Sequence, residues 1–111
     1  MIYDNENIFA KILRSEIPCE KIFEDEYIFS FKDINPKTKI HILIIPKKPY
    51  IDILDFLENA DADYQSNFWI SINKLVLQLD LKNKGFQIKS NKGKEGGQEV
   101  FHFHLHLLSD S

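Results

Sequence analysis

The stretch that most constrains this chain is 100–108, VFHFHLHLL, where apolar and imidazole side chains alternate almost without a break. Side chains on a strand alternate between its two faces, so the period predicts a β-strand with His102, His104 and His106 on one face. Phe101, Phe103, Leu105 and Leu107 then fall on the other face and read as core. Neighbours on one face of a strand stand about 6.8 Å apart, near enough for each imidazole to approach the next. The histidines need a chemical explanation, because a solvent-facing sheet surface has no need of three imidazoles in a row.

The rest of the chain predicts the company this strand keeps. Residues 5–14 place Ile8, Phe9, Ile12 and Leu13 on one side of a short helix, with Asn5 as candidate cap and Pro18 barring its continuation. Residues 21–24 and 27–32 read as two strands about an acidic turn, with Tyr27, Phe29 and Phe31 sharing a face. Residues 33–39 (DINPKTK) form a loop, and 41–45 (HILII) a β-branched strand closed by Pro46. Residues 50–56 fit either a loop or a short helical turn. From about residue 61 to 81, Tyr64, Phe68, Ile72, Leu75, Val76 and Leu79 recur at helical spacing, and Asp61 or Asp63 suits the start. Residues 86–90 alternate as a strand, and 91–99 (NKGKEGGQE) form a glycine-bearing loop. Two helices and five strands with short connections predict an α+β fold with a five-stranded, mostly antiparallel sheet. One sheet face should pack on the helices, the other should face a ligand or partner, and a free edge invites a second copy.

The chain has 111 residues, 43% of them hydrophobic and 28% charged, with four Gly and four Pro, so a single globular domain over 1–111 is expected. Fourteen Lys+Arg against seventeen Asp+Glu, with Arg14 the sole arginine, leave no basic face for polymeric nucleic acid. The balance is uneven, however. Asp52, Asp55, Glu58, Asp61 and Asp63 form an acidic block, and Lys82, Lys84, Lys89, Lys92 and Lys94 a basic one that can draw a small anion; the plainer reading of both is solubility. A single cysteine, Cys19, excludes an intrachain disulfide and a thiolate zinc cluster. The longest apolar run, 42–46, is far below the roughly 20 residues that span a bilayer, and Asp4 and Glu6 interrupt the start. A cytoplasmic protein without a membrane partner is expected.

Two chemistries fit the histidines. Zinc accepts three imidazoles and a water, which His102 with His104, or His104 with His106, could supply together with His41, though no carboxylate stands nearby at recognisable ligand spacing. The other chemistry is anion binding: Gly93, Gly96 and Gly97 let the preceding loop turn tightly and present N–H groups, and Lys92 and Lys94 add positive potential. The spacing is not that of a P-loop.

The segment 96–108, GGQEVFHFHLHLL, resembles the signature of the histidine triad (HIT) family, His-φ-His-φ-His-φ-φ with φ apolar. The preceding NKG at 91–93, DINP at 33–36, HILIIPKK at 41–48, IFAKIL at 8–13 and EIP at 16–18 match in the family's order, so the resemblance covers roughly residues 5–108. It is similar in particular to the small nucleotide-binding branch that hydrolyses nucleoside phosphoramidates, especially of purines. The resemblance implies a homodimer whose two sheets join into ten strands, no cofactor and no metal. It implies that His104 is the nucleophile, that His102 and His106 orient it and bind phosphate, and that His41 supports the array. Asp33 would accept from ribose hydroxyls; Ile8, Phe9, Ile12, Phe31 and Ile34 would line the base cleft; Asn91, Gly97, Gln98 and Glu99 would hold the phosphate and leaving-group side.

Plainer roles stand beside these: Asp33 could brace its turn, Ile8, Phe9 and Ile12 could be core, Lys47 and Lys48 a solvated strand exit, and Trp69 core or interface. The chain also departs from the family pattern. Glu99 stands where many relatives have a hydroxyl, Ala10 where some bacterial relatives carry a zinc-binding cysteine, and Ser109–Asp110–Ser111 where relatives continue into a tail that shapes substrate choice. These departures leave a second function open, a nucleotide-binding interaction protein with incidental catalysis.

Overall fold

The computed structural model describes residues 1–111. Its sheet has five strands, β1 (Lys21–Glu24), β2 (Ile28–Lys32), β3 (Ile40–Pro46), β4 (Gln87–Lys89) and β5 (Leu105–Ser109), in the order β1-β2-β3-β5-β4 with every neighbour antiparallel. Three helices accompany it: α1 (Ile8–Leu13), α2 (Ile53–Asn59) and α3 (Ala62–Gln78).

The pleat of β3 sorts the two cores. Ile42 and Ile44 face α3 together with Ile28, Leu105 and Leu107, and Phe56, Phe68, Leu75 and Phe103 complete that layer. Leu43 and Ile45 face the other way, against Phe31 and the buried Phe9 and Ile12 of α1. Both sheet faces therefore carry a helix, and the face expected to be open is partly covered by α1. That covered face is the one on which His41 and His106 lie.

Several local expectations are corrected. The cap of α1 is Asn7, whose side-chain oxygen accepts from the Ala10 N–H at 2.9 Å, because the chain first turns about Asp4. Asn5 instead offers its carbonyl to Arg14. Tyr27 does not share a face with Phe29 and Phe31: Asp25 Oδ1 accepts from the N–H groups of Tyr27 and Ile28, and the resulting turn sends Tyr27 toward Tyr64 on the α3 side. Residues 50–56 resolve into the approach to α2, capped by Asp52, with Phe56 stacked on Phe103 at 4.9 Å. The long helix starts at Asp61, as one of the two candidate acids.

β5 begins at Leu105, five residues later than the alternation suggested. Its partner strand ends at Pro46, which has no N–H to continue the ladder. Beyond that point the Phe103 N–H bonds to the Tyr50 carbonyl at 2.7 Å, and residues 100–104 run extended outside the sheet. β4 is likewise shorter than expected, three exposed residues at the sheet edge. No helix is long and apolar enough to cross a membrane.

Candidate active site

His104 is buried, yet its ring position is set by one backbone group. Nδ1 lies 2.7 Å from the His102 carbonyl oxygen. A carbonyl only accepts, so Nδ1 carries the proton and Nε2 keeps its lone pair. Nε2 has no partner in the chain and remains open to solvent. The ring stands edge-on to Phe9 at 4.9 Å and 5.2 Å from the His106 ring.

His102 is not the first of three aligned imidazoles. Because the chain has left the ladder at this point, its ring turns inward, where Nε2 donates to the Pro46 carbonyl at 3.0 Å and Nδ1 accepts from the Tyr3 hydroxyl at 2.6 Å. Only His104 and His106 stand side by side; His102 reaches His104 through its own backbone carbonyl. Tyr3 is a contact that sequence reading missed, and no local pattern could have pointed to it across 99 residues.

His106 and His41 form a second relay. The Lys37 N–H donates to His41 Nδ1 at 3.1 Å, which leaves the His41 proton on Nε2. Nε2 lies 2.9 Å from His106 Nδ1 and donates to it, so a neutral His106 carries its own proton on the outward Nε2. Asp33 Oδ2 lies 3.4 Å from His41 Nε2, while Asp33 Oδ1 accepts the Asn35 N–H at 2.8 Å. Asp33 thus braces its turn and also addresses the histidines.

Burial, the largest influence on each, pushes the three rings below the ordinary imidazole range. His102 and His106 fall to about 4, with His104 adding to the effect on both, and the His104 pKa is lowered as well. At neutral pH these three imidazoles are therefore uncharged.

Asp33, His41 and His106 bring ligand-type atoms within 4.8 Å of one another. They fit a resident metal poorly. An imidazole that ligates through Nε2 must carry its proton on Nδ1, and at His41 that position already receives the Lys37 N–H. The His102–His104 pairing considered for zinc is also closed, since Tyr3 occupies the only lone pair of His102.

The glycine loop differs from the expected cradle. The N–H groups of Gly93, Gly96, Gly97 and Gln98 are all bonded within the loop, to Gln98 Oε1 and to the carbonyls of Gly93 and Lys94. Gly97 sits at φ 85°, a conformation that suits glycine, and Asn91 Nδ2 ties the loop by donating to the Gly96 carbonyl at 2.8 Å. Gln98 is buried and donates to the carbonyls of Ile51 and Val100. Asn91 and Gln98 thus shape the loop, and at its end the N–H groups of Glu99 and Val100 have no partner in the chain. The Glu99 side chain is exposed.

Of the residues assigned to a base cleft, Phe9, Ile12 and Phe31 pack together in the α1 core, and Phe9 also touches His104. Ile8 lies outside that core and Ile34 is 88% exposed, so neither forms a wall with it here. Trp69, at 45% exposure, is not core.

The HIT domain model matches residues 14–111. An uncharacterized HIT-like protein of Rickettsia prowazekii is 41% identical over 107 residues, 96% of this chain and 89% of that one. Among solved structures, a HIT family hydrolase from Legionella pneumophila is 40% identical with a TM-score of 0.86, covering 96% of this chain and 94% of its own. The histidine triad nucleotide-binding protein from Candida albicans is 37% identical with a TM-score of 0.77, covering 92% and 73%. With its fold, its clustered histidines and these likenesses in agreement, the chain belongs to the HIT-domain family.

Proposed function

We propose that the protein is a nucleotide-binding hydrolase that cleaves nucleoside 5′-phosphoramidates, with purines such as adenosine as the base, or related phosphoanhydrides. The observation that carries this reading is the bond from His104 Nδ1–H to the His102 carbonyl, which leaves an unprotonated Nε2 open to solvent. Nε2 attacks the α-phosphorus, the phosphorus–nitrogen bond breaks, and the departing amine takes up a proton from solvent. The nucleotidyl-His104 is then attacked by water, which gives a proton back to solvent as the phosphorus–imidazole bond breaks, and the nucleoside monophosphate leaves with Nε2 restored.

Around this step each neighbour has a task. The outward His106 Nε2–H donates to a phosphoryl oxygen, an interaction that strengthens as charge gathers there. The free N–H groups of Glu99 and Val100 point to the same role on the loop side, with Lys92 and Lys94 adding positive potential. Asp33 accepts from the ribose hydroxyls, and Phe9 with Phe31 offers an apolar flank to the base. The similar Legionella protein, a HIT family hydrolase, and the Candida protein, a nucleotide-binding one, support the two halves of this reading.

Glu99 favours a second reading, a nucleotide-binding interaction protein, because a carboxylate at the loop end opposes phosphate. One experiment separates them: turnover of an adenosine phosphoramidate by wild type and His104→Ala, with and without chelator, plus intact mass after a brief acid quench. Hydrolysis with an adduct on wild type that His104→Ala lacks supports the enzyme. Binding without turnover supports the interaction protein. An adduct that persists in His104→Ala, or activity lost to chelator and restored by zinc, overturns the assignment of the nucleophile.

A further inference from the structure

The buried His102 ring is held at one nitrogen by the Pro46 carbonyl and at the other by a side chain from the start of the chain, the Tyr3 hydroxyl. We propose that Tyr3 is a positioning residue of the site, which clamps the His102 ring against the Pro46 carbonyl and so holds the His102 carbonyl on His104 Nδ1. The inference deepens the reading above, since it matters to catalysis only if His104 is the nucleophile.

The argument starts from the hydrogen-bond inventory. His102 Nε2–H is committed to Pro46, so its Nδ1 bears a lone pair, and the only donor that reaches it is the Tyr3 O–H at 2.6 Å. The two rings also meet edge to face, with centroids 5.6 Å apart. His102 lies outside the strand ladder, so no sheet hydrogen bonds hold its peptide in place. What restrains it is the ring, pinned at both nitrogens, together with the Phe103 N–H bond to Tyr50 on its far side. Its carbonyl is the group that sets the His104 tautomer. Remove the hydroxyl and the ring loses one of its two anchors and retains a buried, unpaired nitrogen. The ring then gains by turning toward water or another donor, and the peptide bearing the carbonyl turns with it. Small errors at this point matter, because a nucleophile must be held within a narrow range of distance and angle.

Tyr3→Phe keeps the ring contact and deletes only the hydroxyl, whereas Tyr3→Leu deletes both. For Tyr3→Phe we expect kcat for an adenosine phosphoramidate to fall about tenfold with KM within about twofold of wild type, the mark of lost alignment rather than lost binding. Nitrogen-15 spectra of the histidine rings give a readout that needs no substrate. Wild type should show His104 as the Nδ1–H tautomer, and Tyr3→Phe should show a mixture of tautomers at His104 while it stays folded at the assay temperature, with a cooperative melting curve lowered by the one lost bond. A purely structural role predicts the opposite order, with Tyr3→Phe silent and Tyr3→Leu unstable. Wild-type ring spectra in Tyr3→Phe would overturn the proposal. A wild type that shows the expected tautomers, loses them in Tyr3→Phe and yet forms no nucleotidyl adduct would sustain the clamp and sink the hydrolase reading instead.

Discussion

Mild acid should weaken this fold through His102. Its ring is 1% exposed, and burial holds its native pKa at about 4, against about 6.5 in an unfolded chain. Between those values the unfolded chain binds a proton that the native protein refuses, so stability falls as pH drops from about 6.5 and levels off below about 4. At 1.36 kcal/mol for each tenfold difference in proton affinity, the full loss from this one group is about 3 kcal/mol, and about 2 kcal/mol of it is spent by pH 5. The geometry gives the same sign: a second proton on the ring would place a charge in a dry site.

The assay is urea unfolding at intervals from pH 7.5 to 4.0 for wild type and His102→Gln. Glutamine offers a side-chain N–H toward the Pro46 carbonyl without a titrating ring. Every other ionisable group is common to the two proteins, so the difference between the two curves isolates His102. The variant should be the less stable at pH 7.5, and the gap should close by about 3 kcal/mol as pH approaches 4. Parallel curves would refute the reasoning, because they would mean that the ring takes up its proton equally in both states.

Both α1 and α3 end with a left-handed residue, Ser15 at φ 62° and Asp80 at φ 58°, each followed by the paired bonds of a Schellman turn. Ser15→Gly should therefore raise stability by about 1 kcal/mol, read as a higher urea midpoint, with a smaller gain for Asp80→Gly because aspartate tolerates this region better. Asp33→Asn should weaken binding of adenosine monophosphate more than of its 2′-deoxy form while the melting temperature moves little; equal losses would favour the turn-bracing role that Asn35 already reports. Trp69, Ile70 and Leu77 of α3 are exposed apolar residues, as are Phe86 and, in the edge strand β4, Ile88, so sedimentation equilibrium should return twice the 13.1 kDa chain, and a monomer at micromolar concentration would count against the joined ten-stranded sheet.

The alternation of 100–108 announced the histidine strand because its apolar half, Phe103, Leu105 and Leu107, is real core, and helical spacing announced α3 for the same reason. Both signals come from burial, which repeats along the chain. What stayed hidden comes from partners that do not repeat. Nothing near His102 foretells that Pro46 ends the neighbouring strand and accepts a hydrogen bond from the ring, or that Tyr3 arrives from the other end of the chain. The glycines of 93–97 correctly marked a tight loop, but composition cannot tell whether an N–H turns outward to a phosphate or inward to Gln98. Asn5, the cap read from the sequence, is displaced by Asn7 because the turn about Asp4 carries the chain two residues further before the helix begins.

The two relays run in opposite senses, and that opposition gives the site its chemistry. One passes from the Lys37 N–H through His41 to His106 and ends with a proton on an outward nitrogen. In the other, His104 donates its Nδ1–H inward to the His102 carbonyl and is left with a bare outward nitrogen. A nucleophile and a hydrogen-bond donor thus stand on adjacent rings 5.2 Å apart, though both are imidazoles and neither is charged. Solvent alone would leave each ring free to take either tautomer. Here the choice is made by a backbone donor at one end and a backbone acceptor at the other, so it holds across the whole pH range above the depressed ring pKa values. Displacing the peptides that carry these two groups should therefore harm the site more than trimming the side chains that surround it.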